Sequence, residues 1–287
     1  MAAARPALSD APQPGTFEVE AVDERGETVP ATIADEHRLT LHLDERELVT
    51  LVTLGTAPAH LALGYLRNQQ LVSDIDEIVA LQVGRDAGTV SITTRAPAGR
   101  ETPLSNDDHS PPARRTVEPE PEPEPEAEAG AARAPSVRPL TEETLYTVSA
   151  RAQAALSRND PAGGFRTTLD GCALFANAGG ERGELLRQAE DIGSDQAIDT
   201  IAGWMWLENV SGHDRILYTS ARITGETVIR CARMDIPFLL SRDGITRQAW
   251  DLARLAGITL IGHCRGRHYL LYTGRERFVR LPVTALA

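Results

Sequence analysis

The chain first becomes regular between Thr16 and Leu54. The segments "TFEVEAV", "VPATIA", "RLTLHL" and "LVTLVTL" alternate apolar and polar residues and are broken by "DERGE", "DEH" and "DERE", the period-two signature of half-buried strands. In "TAPAHLALGYLRNQQL" the period changes: Leu61, Leu63, Tyr65 and Leu66 mark a mostly buried helix, with Thr56 as its N-cap and Pro58 in its first turn. A strand pair, "IDEIVALQV" and "TVSITTR", follows.

Periodicity ends at about Glu101 and resumes near Pro139. Within this interval "VEPEPEPEPEAEAG" (Val117 to Gly130) alternates proline with glutamate, which blocks helix and ladder hydrogen bonds and favours an extended, solvated chain. Beyond it, helices and strands alternate: helix "TEETLYTVSARAQAAL", strand "CALFANAGG", helix "DQAIDTIAGWMWL", strand "RILYTS", helix "GETVIRCARM", strand "IPFLLS", helix "ITRQAWDLARLA" closed by Gly257, then strands "ITLIGHC" and "YLLYTG". This order predicts an α/β layered domain. The expected organisation is therefore a flexible N-terminus (1–15), a β-rich domain with one helix (16–100), a Pro/Glu-rich disordered linker (101–140) and an α/β domain (141–287), α+β overall.

Charge changes this picture little. The net charge is −12, and the six glutamates between Glu118 and Glu128 supply about half of it, so the folded parts are only mildly acidic. An acidic chain argues against a nucleic-acid partner. No apolar run approaches the roughly 18 residues of a membrane-spanning helix, and no secretory signal precedes the first strand, which makes the expected location cytoplasmic. All 29 basic residues are arginine, which removes Schiff-base lysine chemistry and the phosphate lysine of a Walker loop. Three widely spaced cysteines, Cys172, Cys231 and Cys264, indicate neither a disulfide framework nor a zinc site.

Several stretches resemble the FdhD family of formate dehydrogenase accessory proteins. "LGTAPAHLALGYLRNQQLVSDIDEI" is similar to that family's Gly-Thr-Pro, Ala-Leu-Ala-Leu-Gly-Phe-Leu and Asp-Glu-Ile pattern; "CALFANAGG", "EDIGSDQAID", "TSARITGETVIRCARMDIPFLLSRDG" and "AWDLARLAGITLIGHCRGRHYLLYTGRERF" continue it in order. The resemblance implies a β-rich N-terminal domain and a C-terminal domain like that of cytidine deaminases. It also implies a sulfur carrier: a cysteine desulfurase loads a loop cysteine, and the sulfur passes to a molybdenum bis(pterin guanine dinucleotide) cofactor, the bound cargo, for insertion into formate dehydrogenase. Such proteins are commonly homodimers, and "IAGWMWL", with Trp204 and Trp206 on different sides, is the helix to examine for a partner surface. Deaminase chemistry does not follow, because His-x-Glu with Pro-Cys-x-x-Cys is absent and no zinc is expected.

The departures bear on mechanism. The family's Cys-x-x-Cys lies on the loop between the two domains, and here that interval holds the acidic run and no cysteine. Of the remaining thiols, Cys172 and Cys231 read as core residues. Cys264 is the single catalytic candidate, since Arg265 and Arg267 beside it would depress its pKa. Ser194, Asp195 and Gln196 stand where the family has Arg, His and Asn, and Glu190 and Asp191 read as cap and dipole partners of the following helix. "FRTTLDGCALF" lacks the family's Thr-Gly-Gly.

The turn from His263 through Cys264, Arg265, Gly266 and Arg267 to His268 matches the segment that in the family binds the guanine dinucleotide. Physically it reads as a phosphate clasp, two guanidinium forks around a glycine, or else as an exposed basic hairpin turn. Ser220 and Arg222, with Thr224, are candidate anion contacts at a helix N-terminus, although an ordinary cap also explains Thr224. The function expected is an FdhD-like accessory protein handling cofactor sulfuration with its usual cysteines missing. The alternative is a non-catalytic nucleotide-binding or regulatory protein derived from that family.

Overall fold

In a computed structural model, residues 6–9, 15–84, 86, 88–95, 137–156, 165–166, 169–177 and 182–281 are described. The Pro/Glu run and the rest of residues 96–136 lie outside them. The N-terminal strands are β1 (Ala7–Ser9), β2 (Thr16–Val22), β3 (Thr28–Ala34), β4 (His37–Leu43) and β5 (Arg46–Thr53), followed by helix α1 (Pro58–Asn68), β6 (Ile78–Val83) and β7 (Thr89–Thr94). Five of these strands form a sheet in the order β1-β6-β7-β4-β5, and β2 and β3 form a hairpin to which the later strand Phe165–Arg166 adds in parallel. Alternation in β4 turns Leu39 and Leu41 into a core that also holds Leu61, Leu63 and Leu66 of α1. Two expectations change here. Ala7–Ser9, expected within a flexible terminus, pairs parallel with β6. The cap of α1 is Ala57, without a side-chain hydrogen bond; Thr56 stands one residue too early, because the chain turns at Gly55 with φ +68°.

The second half contains β8 (Leu140–Thr141), α2 (Glu142–Leu156), β9 (Phe165–Arg166), β10 (Asp170–Ala176), β11 (Leu185–Asp191) and α3 (Ser194–Leu207). It continues with β12 (Arg215–Thr219), α4 (Gly225–Arg233), β13 (Phe238–Ser241), α5 (Arg247–Ala256), β14 (Thr259–Arg265), β15 (His268–Leu271) and β16 (Phe278–Val279). Six strands form a mixed sheet ordered β11-β10-β12-β13-β14-β15, in which β12, β13 and β14 run parallel. The alternation of β10 explains the layering: Cys172 and Leu174 face α3, α4 and α5, while Ala173 and Phe175 face α2. The result is a mixed α+β architecture with helices on both faces of the sheet. Sequence reading left β11 unassigned, because "LLRQAED" is polar at an edge where one face meets a cleft. Leu140, expected at the end of the linker, and Thr141, expected to open the following helix, form a strand that pairs with β16.

The two sheets do not sit on separate bodies. Helix α1 lies against α3 so closely that a Cβ on Gly64 would fall 1.6 Å from the Asp199 carbonyl oxygen, and one on Gly203 1.9 Å from that of His60. Glycine at both positions lets the backbones touch. Around this seam Asn68 donates to the Asp199 carboxylate at 2.7 Å, Arg67 to the Ala202 carbonyl at 3.4 Å and Arg233 to the Asn68 carbonyl. Trp206 and Leu207 pack into the N-terminal core and Trp204 into the other. The apolar helix examined for a dimer surface is thus used within one chain, because it must serve two cores at once.

Candidate functional site

The parallel strands β12, β13 and β14 end at one edge of the sheet, the place where ligands of open α/β sheets settle. Three loops follow them and are tied to one another. Ser241 donates from its hydroxyl to the Ala221 carbonyl at 2.7 Å, the Ile223 amide donates to the Gly244 carbonyl at 3.0 Å, and the His263 amide to the Asp243 carbonyl at 2.8 Å. Capping threonines start the helices beyond. Thr224 accepts from the Thr227 amide, and Thr246 from the Ala249 amide. This folding brings "TSARIT" and "GHCRGRH" to a common edge, with the loop Ser241–Gly244 between them.

The predicted residues behave differently there. Ser220 is buried, and its hydroxyl accepts from the Gly171 amide at 2.9 Å, closing β10 against β12. Arg222 is exposed, and the structure gives it no hydrogen bond or ion pair among the described residues. Arg265 donates to the Asp243 carboxylate at 2.7 Å and to the Arg242 carbonyl at 3.3 Å. Arg267 instead lies over the Tyr146 ring, 5.9 Å from its centroid. The two guanidinium groups expected to form one clasp are therefore held on different partners, and Gly266 supplies the left-handed turn between them with φ +58°. His263 also takes a positive φ, +57°, and its exposed ring covers Gly244, where a Cβ would come 3.3 Å from Nε2.

That backbone conformation corrects the reading of Cys264. The β14–β15 pairing slips between Gly262 and Arg265, and this bulge turns Cys264 onto the same side as Ile261, into the core beneath α2. Burial pushes its thiol up to about 12, so the neighbouring arginines, which point outward, do not produce the depressed value expected from adjacency in sequence. Cys172, also enclosed, is raised to about 12, and burial raises Cys231 further. No cysteine of the chain is exposed.

Sequence reading missed three residues at this edge: Arg242, Asp243 and Asp170. The signal was present in "IPFLLSRDG", where a strand ends in charged residues before the next helix. Burial raises the Asp170 carboxyl, against the pull of the Ser194 backbone N–H and the Arg242 guanidinium; Asp243 and Asp195 add to the rise. Asp195 itself pairs with Arg230 at 3.5 Å. The carboxylate pair before α3 also has another role than capping. Asp191 is buried and accepts from the Thr53 hydroxyl at 2.6 Å, the Leu54 amide at 2.8 Å and the Ile192 amide at 2.7 Å. It latches the loop before α1 to the six-stranded sheet, while Gly193 caps α3 without a side chain.

Comparison with known proteins fits this architecture. The sulfur carrier protein FdhD of Chromobacterium violaceum is 36% identical over 103 residues, 36% of this chain and 38% of that protein. The FdhD of Nocardia farcinica is 38% identical over 96 residues, 34% of its length. These alignments span little more than a third of the relatives' lengths, whereas the FdhD of Listeria monocytogenes aligns at 22% identity over 87% of this chain and 92% of its own. A crystal structure assigned as a formate dehydrogenase accessory protein from Desulfotalea psychrophila superposes with a TM-score of 0.65 at 20% identity, covering 92% of this chain and 98% of that one, and so shares the fold. The model of the FdhD/NarQ family matches residues 34–279, and the chain belongs to that family.

Proposed function

We propose that this chain is an accessory protein in formate dehydrogenase maturation that holds the pterin guanine dinucleotide of the molybdenum cofactor without carrying sulfur on a thiol of its own. Family membership and the accessory-protein structure that shares the fold support the client; the cargo follows from the resemblance of the His263–His268 turn to the family's dinucleotide-binding segment. The enclosure of all three cysteines carries the departure from those relatives. A sulfur carrier needs a thiolate that attacks a persulfide and then presents its terminal sulfur to an acceptor. A thiol raised to about 12 is ionised in on the order of one molecule in 10⁵ at neutral pH, and here it is also shut in the core. A cysteine desulfurase therefore finds nothing to load.

For the cargo, the carboxyl edge supplies Arg222, Arg242 and Arg265, planar forks suited to diphosphate oxygens. A purely nucleotide-binding or regulatory role is the second reading. It is favoured by the engagement of Arg265 with Asp243 and of Arg267 with Tyr146, which leaves Arg222 as the unpaired member. Incubation with a cysteine desulfurase and labelled cysteine, followed by alkylation and mass spectrometry, tests the sulfur claim. No persulfide is expected on any cysteine; stoichiometric persulfide on Cys264 would overturn it.

A further inference from the structure

A cleft away from that edge lies where the first turn of α1 faces the edge strand β11. It has a volume of about 520 Å³ and is lined by Arg187, Glu190, Thr16, Thr56 and Thr200, among others. That volume falls within the range of small-molecule sites. Between β11 and β14 lie the three strands β10, β12 and β13, which places the cleft roughly 19 Å across the sheet from the β14–β15 turn. The two regions share no residue.

Arg187 is the arginine of this cleft. Its guanidinium is stacked on Trp204, 5.8 Å from the ring centroid, and its Nε is buried with no hydrogen-bond partner. The structure gives it no carboxylate or carbonyl partner among the described residues. An enclosed guanidinium nitrogen without an acceptor is costly, and the cost is removed when an anion supplies one. The stacking fixes the plane of the fork in advance, so that little rotamer freedom remains to be lost on binding.

The surroundings specify what kind of anion. Thr56 and Ala57 bring the start of α1 to the wall, a helix of 11 residues whose cap offers no side-chain acceptor and whose first residue is proline. Three hydroxyl-bearing residues, Thr16, Thr56 and Thr200, line the same space. Gly15 closes the mouth against Thr56, where a Cβ would come 2.7 Å from Cγ2. Threonines lining one cleft with an arginine suit the many acceptor oxygens of a phosphoryl group. Glu190 is the counter-observation, for a carboxylate in the wall disfavours a bare anion. It fits a ligand that also brings a donor, such as a sugar hydroxyl.

From this geometry we infer that the cleft between α1 and β11 binds a small hydroxylated phosphomonoester, its phosphoryl oxygens on Arg187 and the threonine hydroxyls and a ligand hydroxyl on Glu190. The site is separate from the proposed cargo edge. Calorimetric titration of the full chain with ribose 5-phosphate, inorganic phosphate and ribose tests it. Ribose 5-phosphate binds tightest, inorganic phosphate more weakly and ribose not at all. Arg187→Gln weakens ribose 5-phosphate binding at least tenfold and Thr200→Val weakens it less, while Arg265→Ala leaves it unchanged. Both variants are checked by thermal melting, so that Thr200→Val remains decisive where Arg187→Gln fails to fold. No heat with either phosphate, unaltered affinity in the folded variants, or inorganic phosphate binding as tightly as the sugar phosphate would overturn the inference. Loss of binding in Arg265→Ala would place the ligand at the carboxyl edge instead.

Discussion

The α1–α3 seam and the carboxyl edge of the six-stranded sheet each hold an arginine–aspartate pair, in opposite settings. Arg265 and Asp243 meet at 2.7 Å with side chains 65% and 40% exposed. Arg230 and Asp199 meet at 3.1 Å with only 9% and 4% exposed. The shorter contact is the one that water and salt weaken. In the longer one burial dominates: it raises the Asp199 carboxyl to about 6 even though Arg230 and Asn68 both pull it down. Contact distance alone therefore says little about what a pair does. The seam holds its charges between two packed helices, and the edge keeps its charges at the surface.

The largest expected effect breaks the seam itself. Gly203→Ala places a methyl where the His60 carbonyl oxygen already lies, and a helix pair in backbone contact has no flexible side chain to yield. A loss of about 3 kcal/mol or more is expected in urea unfolding. A loss under about 1 kcal/mol would mean that the helices separate easily and that the two sheets are only loosely joined.

A smaller effect isolates the buried pair. The folded carboxyl of Asp199 titrates at about 6, above an unfolded aspartate at about 4. The native chain therefore binds the proton first as pH falls, and this group adds stability through that window and withdraws it as pH rises back through 6. Asp199→Asn removes the term. The stability of the parent relative to this variant should then grow between pH 7 and pH 4.5, measured by chemical unfolding at both values. A gap that shrinks on acidification would show the Arg230 attraction outweighing desolvation.

The smallest structural effect belongs to the edge. Arg265→Ala should cost at most about 1 kcal/mol of stability, as exposed pairs do, yet weaken GDP binding about tenfold if the edge holds the dinucleotide. Equal affinity in parent and variant would favour a cargo site elsewhere on the chain.

Much of this was legible before any coordinates. Period-two alternation located β2 to β5, and helical spacing, with Thr224 as a cap and Gly257 as the closing residue, located α4 and α5, because caps and periodicity are local properties. Strand β11 was missed, since an edge strand beside a cleft lacks a clean apolar face. The basic turn was visible as residues but not as geometry: whether Arg265 and Arg267 grip one phosphate depends on Asp243 and Tyr146, which are distant in sequence.

By itself the sequence determined the helices and the strands with a clear apolar pattern, which family they compose, and that no cysteine stands in the interval between Arg95 and Val137, all consequences of composition and short-range pattern. Only the tertiary structure decided that Asp191 and Asp199 join the two sheets, that Trp204 and Trp206 serve separate cores, and that Cys264 lies beneath α2. The reason is physical: desolvation, ion pairing and the facing of a side chain are set by neighbours that arrive from elsewhere in the chain, and a single bulge at His263 is enough to turn an apparent surface thiol into a core residue.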